Sequence, residues 1–200
     1  ILRSAAEGVA EDALAEDIAA MRDLAAAVSA DTDGPPERLL DAPDAHLTAW
    51  RDWADPDPDE VVEGQGAFDT HGVTDAVEAA LAPRLALPGG ATAYIEPTRA
   101  LVAVDVNTGA DSSLAAGLKA NLALVRALPR ALRVKGLGGQ VTLDLAPMPK
   151  KDRRVIEDAL RRAFREDRAE VVLAGWTPLG HYEIQKKRDR LPLASLWPNP

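Results

Sequence analysis

The chain has 200 residues, 46% apolar and 4% aromatic, with a net charge of −9 and no cysteine. That length and apolar share suffice for one large core or two small ones, and the missing cysteines exclude disulfides, thiolate zinc sites and a cysteine nucleophile. His46, His71 and His181 are scattered without metal-ligand spacing, and no run reaches the roughly 20 apolar residues that span a bilayer, so neither a histidine metal site nor a membrane partner is predicted.

In chain order, AEDALAEDIAAMRDLAAAVSA places Leu14, Ile18, Met21 and Val28 on one helical face, before the turn-rich DTDGPPE. RLL (38–40) reads as a short strand, Asp44 as the cap of a helix running to about Trp53, and VVEG (61–64) as another strand. Residues 65–90 look weakly structured apart from a short helix near TDAVEAAL. ATAYIE and ALVAVDV then form a predicted hairpin around PTR. SSLAAGLKANLALV follows as a helix with Leu118, Leu122 and Val125 inward, capped by a Ser or Asp111. QVTLDL reads as a strand. Asp152 is expected to cap a helix that buries Val155, Ile156, Ala159, Leu160 and Phe164. AEVVLAGW reads as a strand and GHYEIQKKRDR as a short basic helix. The order ββαβαβα predicts a mixed α/β fold with helices packed on a sheet.

Two aspartates break the apolar strand pattern. Strand alternation sends Val102, Val104 and Val106 to one face and Ala103, Asp105 and Asn107 to the other; it likewise separates Val141, Leu143 and Leu145 from Thr142 and Asp144. Two carboxylates beside a core and beside each other are costly, and a hard divalent cation relieves both problems. Asn107 adds a neutral donor on the same face. The competing reading is that each Asp caps a turn or pairs with a nearby Arg.

Charge is divided unevenly. Residues 1–116 carry 6 Lys/Arg against 23 Asp/Glu, and residues 117–190 carry 17 against 9. The basic part either faces phosphates or is a solvated surface. Within it, Lys150, Lys151, Arg153 and Arg154 directly follow the Asp144 strand and are candidates for contacts to phosphate groups.

AYIEPTRALVAVDVNTG, LKANLALVRALPRALRVKGLGGQVTLDLAPM and KKDRRVIEDALRRAFREDRAEV together resemble the catalytic region of the ribonuclease E/G family. That family shows a hairpin leading into D-[IV]-N-S-G, a TNLEAA-like helix, RLRDLGG and an IDFIDM strand. The resemblance implies a deoxyribonuclease-I-like catalytic subdomain over 91–200. Before it would come a shortened 5′-sensor-like region over 65–90 and part of a ribonuclease-H-like subdomain over 1–64. It also implies a Mg²⁺ held by Asp105 and Asp144, with Asn107 positioning the attacked phosphate. The activity implied is hydrolysis of single-stranded RNA to 5′-phosphate and 3′-hydroxyl ends, in the cytoplasm. Arg3 and Ser4 match the segment that grips a 5′-monophosphate.

The chain departs from the pattern in several places. Pro147 replaces the second acid of the family strand, and the zinc-link cysteines are missing, so no zinc-linked dimer is expected and any homo-oligomer would form by other contacts. The family's OB-fold domain would lie before Ile1, and a start without Met reads as a fragment or processed chain. The alternative function is a non-catalytic RNA-binding or assembly remnant of the same fold.

Overall fold

The computed structural model describes residues 6–31, 33–53, 56–167 and 170–197, and the chain divides into two compact units, Ile1–Val62 and Glu63–Pro200.

The first unit contains helices α1 (Glu11–Ala30) and α2 (Ala45–Trp53). Glu11 and Asp12 in the first turn of α1 complement its dipole. The predicted apolar stripe of α1 stays uncovered, with no residue of the helix buried. Asp44 caps α2 as expected, its Oδ1 accepting the Leu47 N–H at 2.7 Å. RLL and VVEG form no strand. A strand exists only where a neighbouring edge pairs with it, and neither segment is paired.

The second unit is built on a six-stranded mixed sheet in the order β1-β2-β3-β4-β6-β5. The strands are β1 (Arg84–Ala86), β2 (Thr92–Pro97), β3 (Val102–Asn107), β4 (Gly139–Asp144), β5 (Val171–Trp176) and β6 (Tyr182–Lys186). Every neighbouring pair is antiparallel except β3 with β4. The segment 65–90 is more structured than its sequence suggests, forming α3 (Ala67–Thr70), α4 (Val73–Leu81) and β1. Lys135 ties α4 down by donating from Nζ to the Ala80 and Ala82 carbonyls, both at 2.6 Å, and burial lowers its pKa.

Helix α5 (Leu114–Val134) is capped by Ser113, whose Oγ accepts the Ala116 N–H, while Asp111 accepts from the Ser113 backbone. It runs nine residues beyond the predicted stretch, straight through Pro129. The missing N–H of Pro129 costs one ladder bond. Burial of Leu124, Val125, Leu128 and Leu132, each stabilising by about 1.5–3 kcal/mol, outweighs that loss.

Helix α6 (Arg153–Glu166) buries Ile156, Leu160 and Phe164, leaving Val155 exposed rather than inward, because it sits about 100° round the helix from Ile156. Asp152 makes no side-chain cap. It closes a 3-10 turn over Lys150–Asp152 in already helical φ/ψ, from which its carboxylate does not reach back onto the first turn. Both helices pack on the sheet face carrying Ala93, Ile95, Val102, Val104, Val141, Leu143 and Ile184.

The predicted basic helix at 180–190 is instead strand β6 followed by coil. Tyr182, Ile184 and Lys186 are buried at every second position, which is the strand period. The Thr177–Gly180 turn folds β6 back onto β5, with the Thr177 N–H donating to the His181 carbonyl at 2.8 Å. Lys186 buries its stem and reaches Asp189 with Nζ at 3.2 Å, so its charge does not require a helical surface. A short helix α7 (Leu193–Leu196) follows. Among the described residues no helix is long and apolar enough to cross a membrane.

Candidate active site

The uncovered face of the sheet carries the two aspartates. Val102, Val104 and Val106 are buried while Asp105 and Asn107 point to the other side, as the alternation predicts; Val141 and Leu143 are buried and Asp144 is exposed. The parallel pairing of β3 and β4, enforced by the α5 crossover, brings both C-terminal strand ends to the same end of the sheet. Asp105 and Asp144 are therefore direct cross-strand partners. An antiparallel pairing would have put them at opposite ends of the sheet.

Each carboxylate has one neighbour that can donate to it. Asn107 Nδ2 donates to Asp105 Oδ2 at 2.7 Å, and His181 Nε2 lies 3.7 Å from Asp144 Oδ1. The Asp144 side chain is 67% exposed, so it is not the desolvated charge that the sequence suggested. What remains of that argument is the repulsion of two like charges placed directly opposite each other. Tyr94, the register partner of Asp105 on β2, continues the row on the other side.

The loop after Asp144 is clamped from below. Asn121, fully buried in α5, accepts the Ala146 N–H through Oδ1 and donates from Nδ2 to the Ala146 carbonyl, both at 2.9 Å. One turn earlier, a Cβ on Gly117 would sit 2.0 Å from the Pro147 carbonyl oxygen, so only glycine lets α5 approach the loop this closely. Gly109, at φ +79°, closes the Asp105 side, where a Cβ would stand 2.8 Å from the Gly90 carbonyl oxygen.

Of the predicted phosphate-contacting residues, Lys150, Lys151 and Arg154 are exposed and Arg153 is half-buried. Arg153 lies over the Trp176 ring at 4.5 Å, and its guanidinium faces Gly180 in the β5–β6 turn. Trp176 is held edge-on to Tyr182 and donates from Nε1 to Glu157 at 2.8 Å. The tryptophan therefore orients an arginine rather than offering an open stacking face. Farther along α6, Arg161 is paired with Asp158 and Glu157, which makes that part of the helix self-neutralised. Arg3 and Ser4 lie outside the described residues.

Among the described residues, no group of three or more His, Cys, Asp or Glu is set to hold a metal. A dedicated all-protein cage is thus not what this face offers. Two exposed carboxylates in register suit a cation such as Mg²⁺, which takes one or two carboxylates and completes its shell with water and substrate phosphate.

His181 is the site neighbour that the sequence reading missed. Its alternation with buried Tyr182 places it on the Asp144 face, but reading 180–190 as a helix hid that period.

A family model described as Ribonuclease E/G family matches residues 58–189, which include β3, β4, α5 and the Lys150–Arg154 segment. Ribonuclease G of Salmonella typhimurium (strain SL1344) is 28% identical over 229 aligned residues, covering 95% of this chain and 46% of its own length. Ribonuclease G of Escherichia coli (strain K12) is 31% identical over 134 residues, covering 63% of this chain and 27% of its own. The chloroplastic ribonuclease E/G-like protein of Arabidopsis thaliana is 31% identical over 135 residues, 64% of this chain and 14% of its own. The chain spans less than half the length of each of these relatives. The family match takes in both aspartate strands and the crossover helix that sets them side by side, and the chain belongs to the ribonuclease E/G family.

Proposed function

We propose that this chain is the core of a Mg²⁺-dependent endoribonuclease that hydrolyses single-stranded RNA to 5′-phosphate and 3′-hydroxyl ends. The observation carrying this reading is the in-register pair Asp105–Asp144 at the exposed C-terminal ends of two central parallel strands, with Asn107 beside it. The relatives named ribonuclease G support the same class of reaction. In this reading residues 91–200 are the deoxyribonuclease-I-like catalytic subdomain, 65–90 the shortened sensor-like region and 1–64 part of a ribonuclease-H-like subdomain.

In this reading the residues take the following roles. Asp105 and Asp144 are the residues that would hold the cation. When bound, Mg²⁺ supplies an activated water and neutralises charge gathering on the phosphoryl oxygens. Asn107 commits one amide hydrogen to Asp105 and has a second for a phosphate oxygen. Hydrolysis would form a bond from a water oxygen to phosphorus as the P–O3′ bond breaks; the water gives up one proton to solvent and O3′ takes one up from solvent, which leaves a 5′-phosphate and a 3′-hydroxyl. Lys150, Lys151, Arg153 and Arg154 lie just beyond the Asp144 loop and track the backbone, with Arg153 pre-oriented by Trp176. Arg3 and Ser4 are assigned a weak grip on a 5′-monophosphate.

The test is incubation of the intact protein with a 3′-labelled single-stranded RNA carrying either a 5′-monophosphate or a 5′-hydroxyl. Internal cleavage that requires Mg²⁺, leaves 5′-phosphate ends and prefers the monophosphate only slightly is the expected result. Binding without cleavage at any Mg²⁺ concentration would identify a non-catalytic remnant instead.

The basic segment makes a separate prediction. Replacing Lys150, Lys151, Arg153 and Arg154 by Ala should flatten the fall of RNA affinity with salt, by about 0.7 in the log–log slope for each phosphate no longer neutralised. A filter-binding salt titration with an unchanged slope would return these residues to ordinary solvated surface.

A further inference from the structure

The two aspartates differ in what holds them. Asp105 is fixed locally by the amide two residues on, in the Asn107 Nδ2 to Oδ2 bond. Asp144 ends its strand, and the side-chain donor beside it comes from the residue just before β6: His181 Nε2, 3.7 Å from Oδ1. His181 is one step beyond the Leu143–Tyr182 register pair of β4 and β6, which sets it across from Asp144. Its backbone is pinned in both directions by Thr177, whose N–H donates to the His181 carbonyl at 2.8 Å and whose Oγ1 accepts the His181 N–H at 3.1 Å. Tyr182, the next residue, is locked in the core, so alternation leaves His181 no choice but the Asp144 face.

We propose that His181 is the positioning residue for Asp144. An imidazole donating from Nε2 holds Oδ1 and turns Oδ2 toward the cation shared with Asp105. This inference rests on the cation site proposed above. A carboxylate 67% exposed and free to rotate must be ordered when a cation binds, and a neighbouring donor lowers that entropic cost beforehand. The present separation is just beyond hydrogen-bond length, and such distances commonly shorten when the ligand arrives. The arrangement gives the pair a matched form: one donor group beside each aspartate and one oxygen of each left for the ion. Asn107 and His181 add donors without adding negative charge.

The experiment measures Mn²⁺ binding to the intact protein from the loss of the free-ion resonance signal. His181→Ala is expected to weaken binding about tenfold, at the lower end of what removing a hydrogen-bond partner of a ligand costs a metal site. Metal-free thermal stability should not change. His181→Gln, whose amide N–H reaches a similar distance, should restore most of the affinity. Nitrogen hyperfine coupling to Mn²⁺ in the wild type would overturn the proposal in favour of direct ligation. Failure of Gln to rescue, or affinity unchanged in His181→Ala while Asp105→Asn and Asp144→Asn abolish binding, would overturn it and leave the aspartate site standing. Absence of Mn²⁺ binding by the wild type would sink both.

Discussion

Asp105→Asn and Asp144→Asn are each expected to lower cleavage of single-stranded RNA by at least about a hundredfold, beyond the range typical for residues that only support a metal's ligands. Neither change should unfold the protein. Both side chains are exposed, and each Asn keeps the shape of the residue it replaces. The metal-free variants should melt at the wild-type temperature or slightly above it. Removing one of two cross-strand like charges relieves repulsion of roughly 0.2–0.5 kcal/mol at a solvated position. Melting without Mg²⁺ and cleavage with it, measured on the same preparations, separate the two effects. Full activity in either variant removes the aspartate pair from the chemistry.

Asn121→Leu is expected to produce the largest loss of stability, roughly 3 kcal/mol. Leucine fills a similar volume but cannot bond the Ala146 N–H and carbonyl, and each buried backbone group left unpaired costs about 1–3 kcal/mol. Gly117→Ala should act in the same direction by roughly 2 kcal/mol. In an open helix that change would stabilise by about 1 kcal/mol, but here the new methyl would meet the Pro147 carbonyl oxygen at 2.0 Å. The obstacle is backbone, which cannot rotate away as a side chain would, so the clash outweighs the propensity gain. Urea unfolding gives both values. Because the clamped loop follows Asp144 directly, both variants should also lose activity under conditions where they remain folded. Wild-type stability in Asn121→Leu would mean that the Ala146 groups find other partners.

How much of the site was legible in the sequence depends on the range of the interactions that build it. The β2–β3 hairpin, α5, β4 and the faces of Asp105 and Asp144 all follow from local periodicity, because alternation along a strand is a property of the backbone itself. The acidic and basic halves, the cysteine-free composition and the family membership are likewise carried by residue order alone. The same local logic failed where pairing decided the outcome. RLL and VVEG have strand-like composition but no partner edge, and GHYEIQKKRDR carries helix-like charge but pairs with both β4 and β5. Only the tertiary structure places Asp105 opposite Asp144, since that depends on β3 and β4 running parallel across a 21-residue helix. It alone sets His181 beside Asp144, Asn121 beneath Ala146 and Gly117 against Pro147. These four pairs join residues 25 to 39 positions apart, and no local period encodes a distance of that kind.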